Sequence, residues 1–266
     1  MKRALLRAAI ICAAPLSRLR FVAVLFALIA GGGVRAESIV LPSSLASTEG
    51  SSSNAFPFDY SGLLGHANGQ RYQQVYASGG FPSSPVLISQ ISFRPDAQFG
   101  TAFSTTLSSI LIQLSTTKHP VDSLSTTFAD NVGNDVTTIV DGRLSLASSF
   151  TGPANGPKDF DISINLQSPF LYDPSLGNLL LDVTNLSAEQ TPLFDWAAIV
   201  GDEVSRVFTN VSDADSATAN VADSGDLVTK FTFTTVPEPS TLASAALGAV
   251  AVLAARRRFN HKQTRR

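Results

Sequence analysis

Between Gln70 and Thr235 apolar and polar side chains alternate with a period of two, and no stretch there keeps a helical apolar stripe over three turns. The clearest case is Phe160-Asp161-Ile162-Ser163-Ile164-Asn165-Leu166, which puts its apolar side chains on one face and its polar ones on the other. Ser108–Ser115 repeats the pattern with Ile110, Ile112 and Leu114. So do Leu87–Phe93 (Leu87, Ile91, Phe93), Leu179–Val183 (Leu179, Leu181, Val183) and Leu227–Phe233 (Leu227, Phe231, Phe233). Further strands are expected at Arg71–Tyr76, Thr137–Leu146, Phe194–Val200 and Ser205–Thr209. Breakers such as Gly79-Gly80, Pro95, Pro120, Gly133, Gly152-Pro153 and Pro174 separate them. Short strands with one wet face predict an all-β fold, a two-sheet antiparallel β-sandwich (jelly-roll-like) of about eight or nine strands. Its expected core holds Phe160, Ile162, Ile164, Leu166, Leu181, Ile112, Leu114, Phe231 and Phe233.

Residues 70–235 are therefore read as one β-sandwich domain, and residues 37–69 as a flexible N-terminal arm broken by Ser43-Ser44, Ser51-Ser52-Ser53 and several Gly and Pro residues. Residues 1–36 have the order of a signal peptide with an N-terminal signal helix. Lys2, Arg3, Arg7, Arg18 and Arg20 form a basic leader, Phe21–Ala30 an apolar core, and Gly31-Gly32-Gly33 a break. Val34-Arg35-Ala36 then places a small residue before Glu37, where signal peptidase is expected to cut. No adjacent arginine pair occurs in the leader, which favours the general secretory route over the twin-arginine one. An uncleaved N-terminal anchor is the alternative.

Charge is partitioned along the chain. Residues 1–36 and 241–266 each hold six basic side chains and no acidic one. All 21 acidic residues lie between Glu37 and Glu238, against seven basic ones, so this body has a formal charge of −14 while the whole chain has −2. Such a body is repelled by phosphate backbones, which excludes nucleic acid as an expected partner. The single Cys12 lies in the leader, leaving the body without disulfides.

Residues 236–266 have three parts. Pro237-Glu238-Pro239 can continue neither a helix nor a sheet ladder. Leu242–Ala255 is an uncharged run of good helix formers, expected to form a C-terminal transmembrane helix although shorter than the roughly 20 residues of a full span. Arg256-Arg257-Arg258 marks its cytoplasmic end. This order resembles the PEP-CTERM sorting signal of Gram-negative bacteria. The resemblance implies processing by a membrane enzyme, exosortase, which reads Pro237-Glu238-Pro239, removes the helix and passes the body outward. It places the chain transiently in the inner membrane and finally at the cell surface or outside the cell. The tail Phe259–Arg266 is longer than is usual after the arginines, and Lys262, Arg265 and Arg266 add to the same charge. A plain C-terminal anchor without processing is the alternative. Within the body, Arg71–Tyr76, Ile91–Asp96, Gly156–Phe160 and Leu179–Val183 resemble segments of uncharacterised proteins that carry such a tail, which transfers no activity.

Motifs for chemistry are sparse. The body has two histidines, His66 and His119, and no Gly-x-Ser-x-Gly elbow, so no triad is expected, and a zinc site fails for lack of ligands. Asp159/Asp161 and Asp202/Glu203 offer carboxylate pairs for glycoside hydrolysis, with a wet strand face as the bland explanation of the first. Calcium has better candidates. Asp213-Ala214-Asp215 opens like a calcium loop, followed by Asp223 and Asp226, but the EF-hand pattern breaks at Ala217, Thr218 and Ser224. Asp130-Asn131-Val132-Gly133-Asn134-Asp135 is a second oxygen-rich turn, of a composition that turns adopt without any ion. Trp196, Tyr60, Tyr72, Tyr76 and Tyr172 could stack on sugars if exposed, or fill the core.

The expectation is an exported, non-catalytic structural or adhesive protein of the cell surface or extracellular matrix, with exopolysaccharide as a partner. Calcium would bridge carboxylates on both partners, or the charge would serve solubility alone. The rival readings are a carbohydrate-binding module, calcium-dependent or not, and a secreted hydrolase.

Overall fold

The computed structural model describes residues 35–59, 69–210, 213–236 and 248–249. All of these except Arg35 belong to one unit beginning at Ala36. The expected signal helix, the transmembrane helix apart from residues 248–249, Pro237-Glu238-Pro239 and Arg256-Arg257-Arg258 lie outside the described residues. No described helix is long and apolar enough to cross a membrane.

The described chain is antiparallel β throughout. Its strands are β1 (Glu37–Leu41), β2 (Ser52–Asn54), β3 (Gln70–Tyr76), β4 (Val86–Phe93), β5 (Phe103–Thr117), β6 (Thr137–Ser148) and β7 (Ile162–Tyr172). Then come β8 (Asn178–Asn185), β9 (Phe194–Ala198), β10 (Val204–Phe208), β11 (Val221–Asp223), β12 (Gly225–Leu227) and β13 (Thr229–Thr235). One short helix, α1 (Phe128–Asn131), precedes β6. Strands β1-β13-β4-β7 form one sheet, β11-β10-β3-β8-β5-β6 a second, and β12-β9-β2 a third of three short strands.

The apolar core lies between the first two sheets. Ile88, Ile91, Phe93, Ile162, Ile164, Phe231 and Phe233 come from one, and Tyr72, Tyr76, Ile110, Ile112, Leu114, Leu181, Val183 and Phe208 from the other. The Tyr76 and Phe231 rings meet edge to face across it at 4.8 Å. The alternation is thus satisfied on facing sheets, each residue i and i+2 delivering its apolar body inward.

The structure departs from the sequence expectation at four places. First, residues 37–59 of the expected loose arm are built into the fold. Strand β1 pairs with β13 from Glu37↔Phe233 to Leu41↔Thr229, β2 pairs with β9, and Leu41 and Phe58 are fully buried. Ser38-Ile39-Val40-Leu41 is short, but it covers a backbone edge of β13 that would otherwise be unpaired. Second, Leu87 does not face inward with Ile91. A bulge between Ile88 and Gln90 shifts the register, burying Val86 and Ile88 and turning Leu87 toward Leu171 on the outer face. Third, β7 starts at Ile162, because the chain turns tightly where the Asp161 N–H donates to the Asp159 carbonyl. Phe160 is only half-buried and lies under Arg94 and Lys230 instead of in the main core. Fourth, Leu227–Phe233 is two strands in different sheets, broken at Val228, whose N–H donates to the Asp195 carbonyl.

Candidate functional site

The third sheet carries most of the unusual chemistry. Strand β9 passes Phe194 and Trp196 to the main core and turns Asp195 and Ala197 to the other side. Strand β12 lies beside it with Asp226 opposite Ala197 and Leu227 opposite Trp196. Directly opposed residues share a face, so Asp195 and Asp226 lie on the same side of this sheet. Two glycines let neighbours approach. A Cβ on Gly50 would stand 2.3 Å from the Trp196 carbonyl oxygen, and one on Gly225 would stand 2.4 Å from the Trp196 ring.

Asp195 is fully buried and fully partnered. Its Oδ2 accepts from Arg94 Nε at 2.6 Å and its Oδ1 from the Gly50 N–H at 2.8 Å. Arg94, itself buried, also donates to the Leu45 and Thr48 carbonyls and so holds the chain between β1 and β2 against the end of β4. Burial pushes the Asp195 carboxyl up to about 6, Arg94 opposes that shift, and Glu49 adds to it. Glu49, Asp96 and Asp195 converge within 4.8 Å, the one such group of three metal-ligating side chains among the described residues. Each already gives an oxygen to backbone: Glu49 to Ala97, Asp96 to Gln98 and Phe99, and Asp195 to Gly50. The arrangement reads first as a clamp with Arg94 as its cation.

Asp226 has the opposite surroundings. It is fully buried, and neither carboxylate oxygen has a hydrogen-bond partner among the described residues. Burial pushes its carboxyl up to about 9, helped by the negative charges of Asp202, Asp195 and Asp223 against the pull of Arg206. Asp202, also raised by burial to about 6, has one buried oxygen without a partner. Arg206 Nη1 and Trp196 Nε1 are two more buried polar atoms left over in this region. Arg206 spends its other nitrogens on Asp223, at 2.7 and 3.1 Å, and lies over the Trp196 ring at 5.2 Å. Asp226 is therefore a protonated acid at neutral pH, without contact with solvent or a partner to receive its proton.

The other residues expected to carry chemistry are dispersed. Asp130 accepts from the Ser125 hydroxyl, Asp135 from the Thr116 N–H and hydroxyl, and Asp223 is engaged by Arg206. Asp213 and Asp215 are exposed around a turn. The six calcium candidates thus do not converge, and the carboxylates that do (Glu49, Asp96, Asp195) lie on segments far apart in sequence, where spacing gives no signal. Tyr72, Tyr76 and Tyr172 are fully buried and Trp196 packs against the core, so these rings form no exposed stacking platform; Tyr60 lies outside the described residues. Asp159 and Asp161 flank the turn before β7 instead of sharing a strand face, and Glu203 caps Ser43 through its N–H and hydroxyl. His119 lies beside β5 with its Nδ1 against the Ser123 carbonyl, and His66 is outside the described residues.

A cleft of about 140 Å³ lies between Asp122, Leu124, Ser205, Arg206, Asp223 and Ser224. Pockets for small ligands run to roughly 300–1,000 Å³, and the Arg206–Asp223 pair lies in the lining of this one.

Ala36 and Glu37 are exposed at the start of β1. Glu37 stands opposite Phe233, so the expected signal peptidase site lies beside the strand that leads into Pro237. No curated protein and no solved structure matches the chain. Residues 235–258 match the PEP-CTERM protein-sorting motif. The chain carries that motif directly after its last strand, and the motif implies an exported protein, transiently membrane-anchored and then sorted by exosortase.

Proposed function

We propose that the body is a non-catalytic structural or adhesive module, delivered as a β-sandwich to the cell surface or the extracellular polymer of a Gram-negative cell. The observation that carries this reading is the chemistry of the outer sheet faces. Cross-strand pairs Gln90–Asn165, Thr106–Ser145 and Gln113–Thr138 join amides and hydroxyls at 2.7–3.0 Å on solvent-facing positions. They make strips of hydrogen-bonding groups, interrupted on β6 by the exposed Asp141 and Arg143, on a body whose formal charge is −14. Such strips suit a hydroxyl-rich polymer, and the excess carboxylates suit divalent bridging between anionic partners.

Burial of three of the four tyrosines and the half-buried packing of Trp196 against the core weigh against the carbohydrate-binding module in its aromatic-platform form. The buried, partnerless state of Asp226 and the engagement of Glu49, Asp96 and Asp195 by backbone N–H groups and Arg94 weigh against a hydrolase, which needs carboxylates that reach substrate.

The test is retention. The processed protein is incubated with the host's exopolysaccharide, and sedimentation is compared in calcium and in sodium at matched ionic strength. Saturable retention in calcium that sodium does not reproduce supports divalent-bridged adhesion. Equal behaviour in both salts leaves the charge to solubility, and no retention in either overturns the adhesive reading.

A further inference from the structure

We infer that one pole of the sandwich is a membrane-resting face, which lies on the lipid surface while the chain is anchored. The pole is defined by register. Strand β13 ends where Thr235 pairs with Val86, and Val86 pairs with Tyr172 at the end of β7. The turn Asp173–Gly177 carries the chain to Asn178, which pairs with Thr117 at the end of β5. Tyr76 pairs with Leu179 and with Val204, so β3 ends and β10 begins at the same level. Glu37 opposite Phe233 brings the start of β1 there too.

The exposed large apolar side chains are distributed unevenly over the fold. Leu171 (58%) and Leu176 (54%) lie at or in the β7–β8 turn. Val200 (84%) and Ile199 cap the β9–β10 loop, and Val136 stands just before β6, whose first residue pairs with Leu114 near the end of β5. Five of the seven exposed large hydrophobics among the described residues are thus at the pole from which the sorting motif leaves; Phe99 and Leu186 are at the other. This end of the sandwich therefore presents more bare apolar side chains than the far end.

The occupant follows from the tether. Val236 is still part of the fold, since its N–H donates to the Pro85 carbonyl at 2.8 Å. Five residues, 237–241, separate it from the apolar run at Leu242. At about 3.3–3.6 Å per residue they span roughly 20 Å at most. During the anchored stage the pole is therefore held within roughly that distance of the hydrocarbon boundary, and the headgroup layer covers about 5–7 Å of it. At so short a tether the effective local concentration of lipid surface is high, so side chains such as Val200 and Leu176 contact it without large intrinsic affinity. The same pole carries Glu37, Asp122, Asp135, Asp173, Asp202 and Glu203, with Lys118 as a basic group at Leu176, so zwitterionic lipid is the preferred surface and anionic lipid opposes the contact. The inference rests on the anchored stage and not on the adhesive reading of the body.

The test uses the full chain with Cys12→Ser, which removes the one native thiol, reconstituted in phosphatidylcholine vesicles containing spin-labelled headgroups. Single probes are attached at Val200→Cys, Leu176→Cys and, at the far pole, Phe99→Cys. Fluorescence at the first two is expected to be quenched at least twofold more than at the third. A second form carries 20 Gly/Ser residues between Val236 and Pro237. With it the near-pole preference is reduced but remains, and Val136→Asp with Leu171→Asp and Ile199→Asp, positions that carry no probe, abolishes it. Equal quenching at both poles overturns the inference, as does a preference lost with the longer tether alone, since the tether would then do all the orienting. A chain that fails to float with vesicles removes the anchored stage and the inference with it. If quenching is equal but the triple aspartate variant slows cleavage by exosortase, the pole serves the enzyme and not the lipid, and the inference falls.

Discussion

Asp195 and Asp226 are both fully buried, stand on neighbouring strands and share one face of the smallest sheet, yet the chain treats them in opposite ways. Asp195 is given a guanidinium and a backbone N–H, and burial can raise its carboxyl only to about 6. Asp226 is given no hydrogen-bond partner, and the same desolvation, reinforced by Asp202, carries it to about 9. Burial alone therefore does not decide the charge of an interior acid. The nearest donor does. At neutral pH the first is held ionised as part of a clamp and the second is a neutral, unsatisfied acid whose hydrogen-bonding capacity is unused.

The largest expected effect comes from breaking the satisfied site. Arg94→Met removes the cation from Asp195 and the donor from the Leu45 and Thr48 carbonyls, at an expected loss of about 3–5 kcal/mol in urea unfolding. Asp195→Asn should lose a similar amount, because it leaves Arg94 buried without a counter-ion. The double variant should recover part of the sum, since the two changes act on one interaction. A loss below about 1 kcal/mol for Arg94→Met would show that Asp195 is not held ionised, and the contrast with Asp226 would disappear.

The unsatisfied site should respond with the other sign. Asp226→Asn is expected to stabilise the fold by about 1–2 kcal/mol at pH 8, measured by the same unfolding curves. The pH dependence follows from linkage. A carboxyl raised to about 9 in the folded state holds a proton that the unfolded chain has released above roughly pH 4. Its contribution is fully present below that lower value and is lost as the pH climbs through about 9. Wild-type stability should therefore decline across this window, and the Asn variant should flatten the decline. A parallel decline in both proteins would mean that Asp226 is ionised in the fold or that another group sets the slope.

The two sites were not equally legible in the sequence. Period-two alternation identified the β class, the faces of Ile110–Leu114 and Ile162–Leu166, and the main strands, because burial on one face leaves a local trace. It misread Leu87, since a bulge reverses parity without changing composition, and it read residues 37–59 as an arm because pairing of β1 with β13 spans nearly the whole domain. Asp226 was visible only as one oxygen ligand in an acidic run. That run gave no sign that Asp223 would turn to Arg206 while Asp226 turned into the sheet packing. The Arg94 clamp joins residues near 49, 94 and 195, so no spacing rule could assemble it. The sorting motif, by contrast, is contiguous, and its three parts could be recognised in order.

The smallest effect is also the most local. Trp196 is the only tryptophan, its ring touches Gly225, and Arg206 lies above it, so its emission should report the charge state of the neighbouring acids. A titration from pH 5 to 10 is expected to show two steps, one near 6 from Asp195 and Asp202 and one near 9 from Asp226. Tyr72, Tyr76 and Tyr172 do not intrude, because burial pushes their hydroxyls well above their ordinary value. Asp226→Asn should delete the upper step and keep the lower one. Persistence of the upper step in that variant would assign it to another group and return Asp226 to the ordinary carboxylate range. Loss of both steps would mean that the two aspartates titrate as one coupled pair, and that the partnered and partnerless acids are not independent sites.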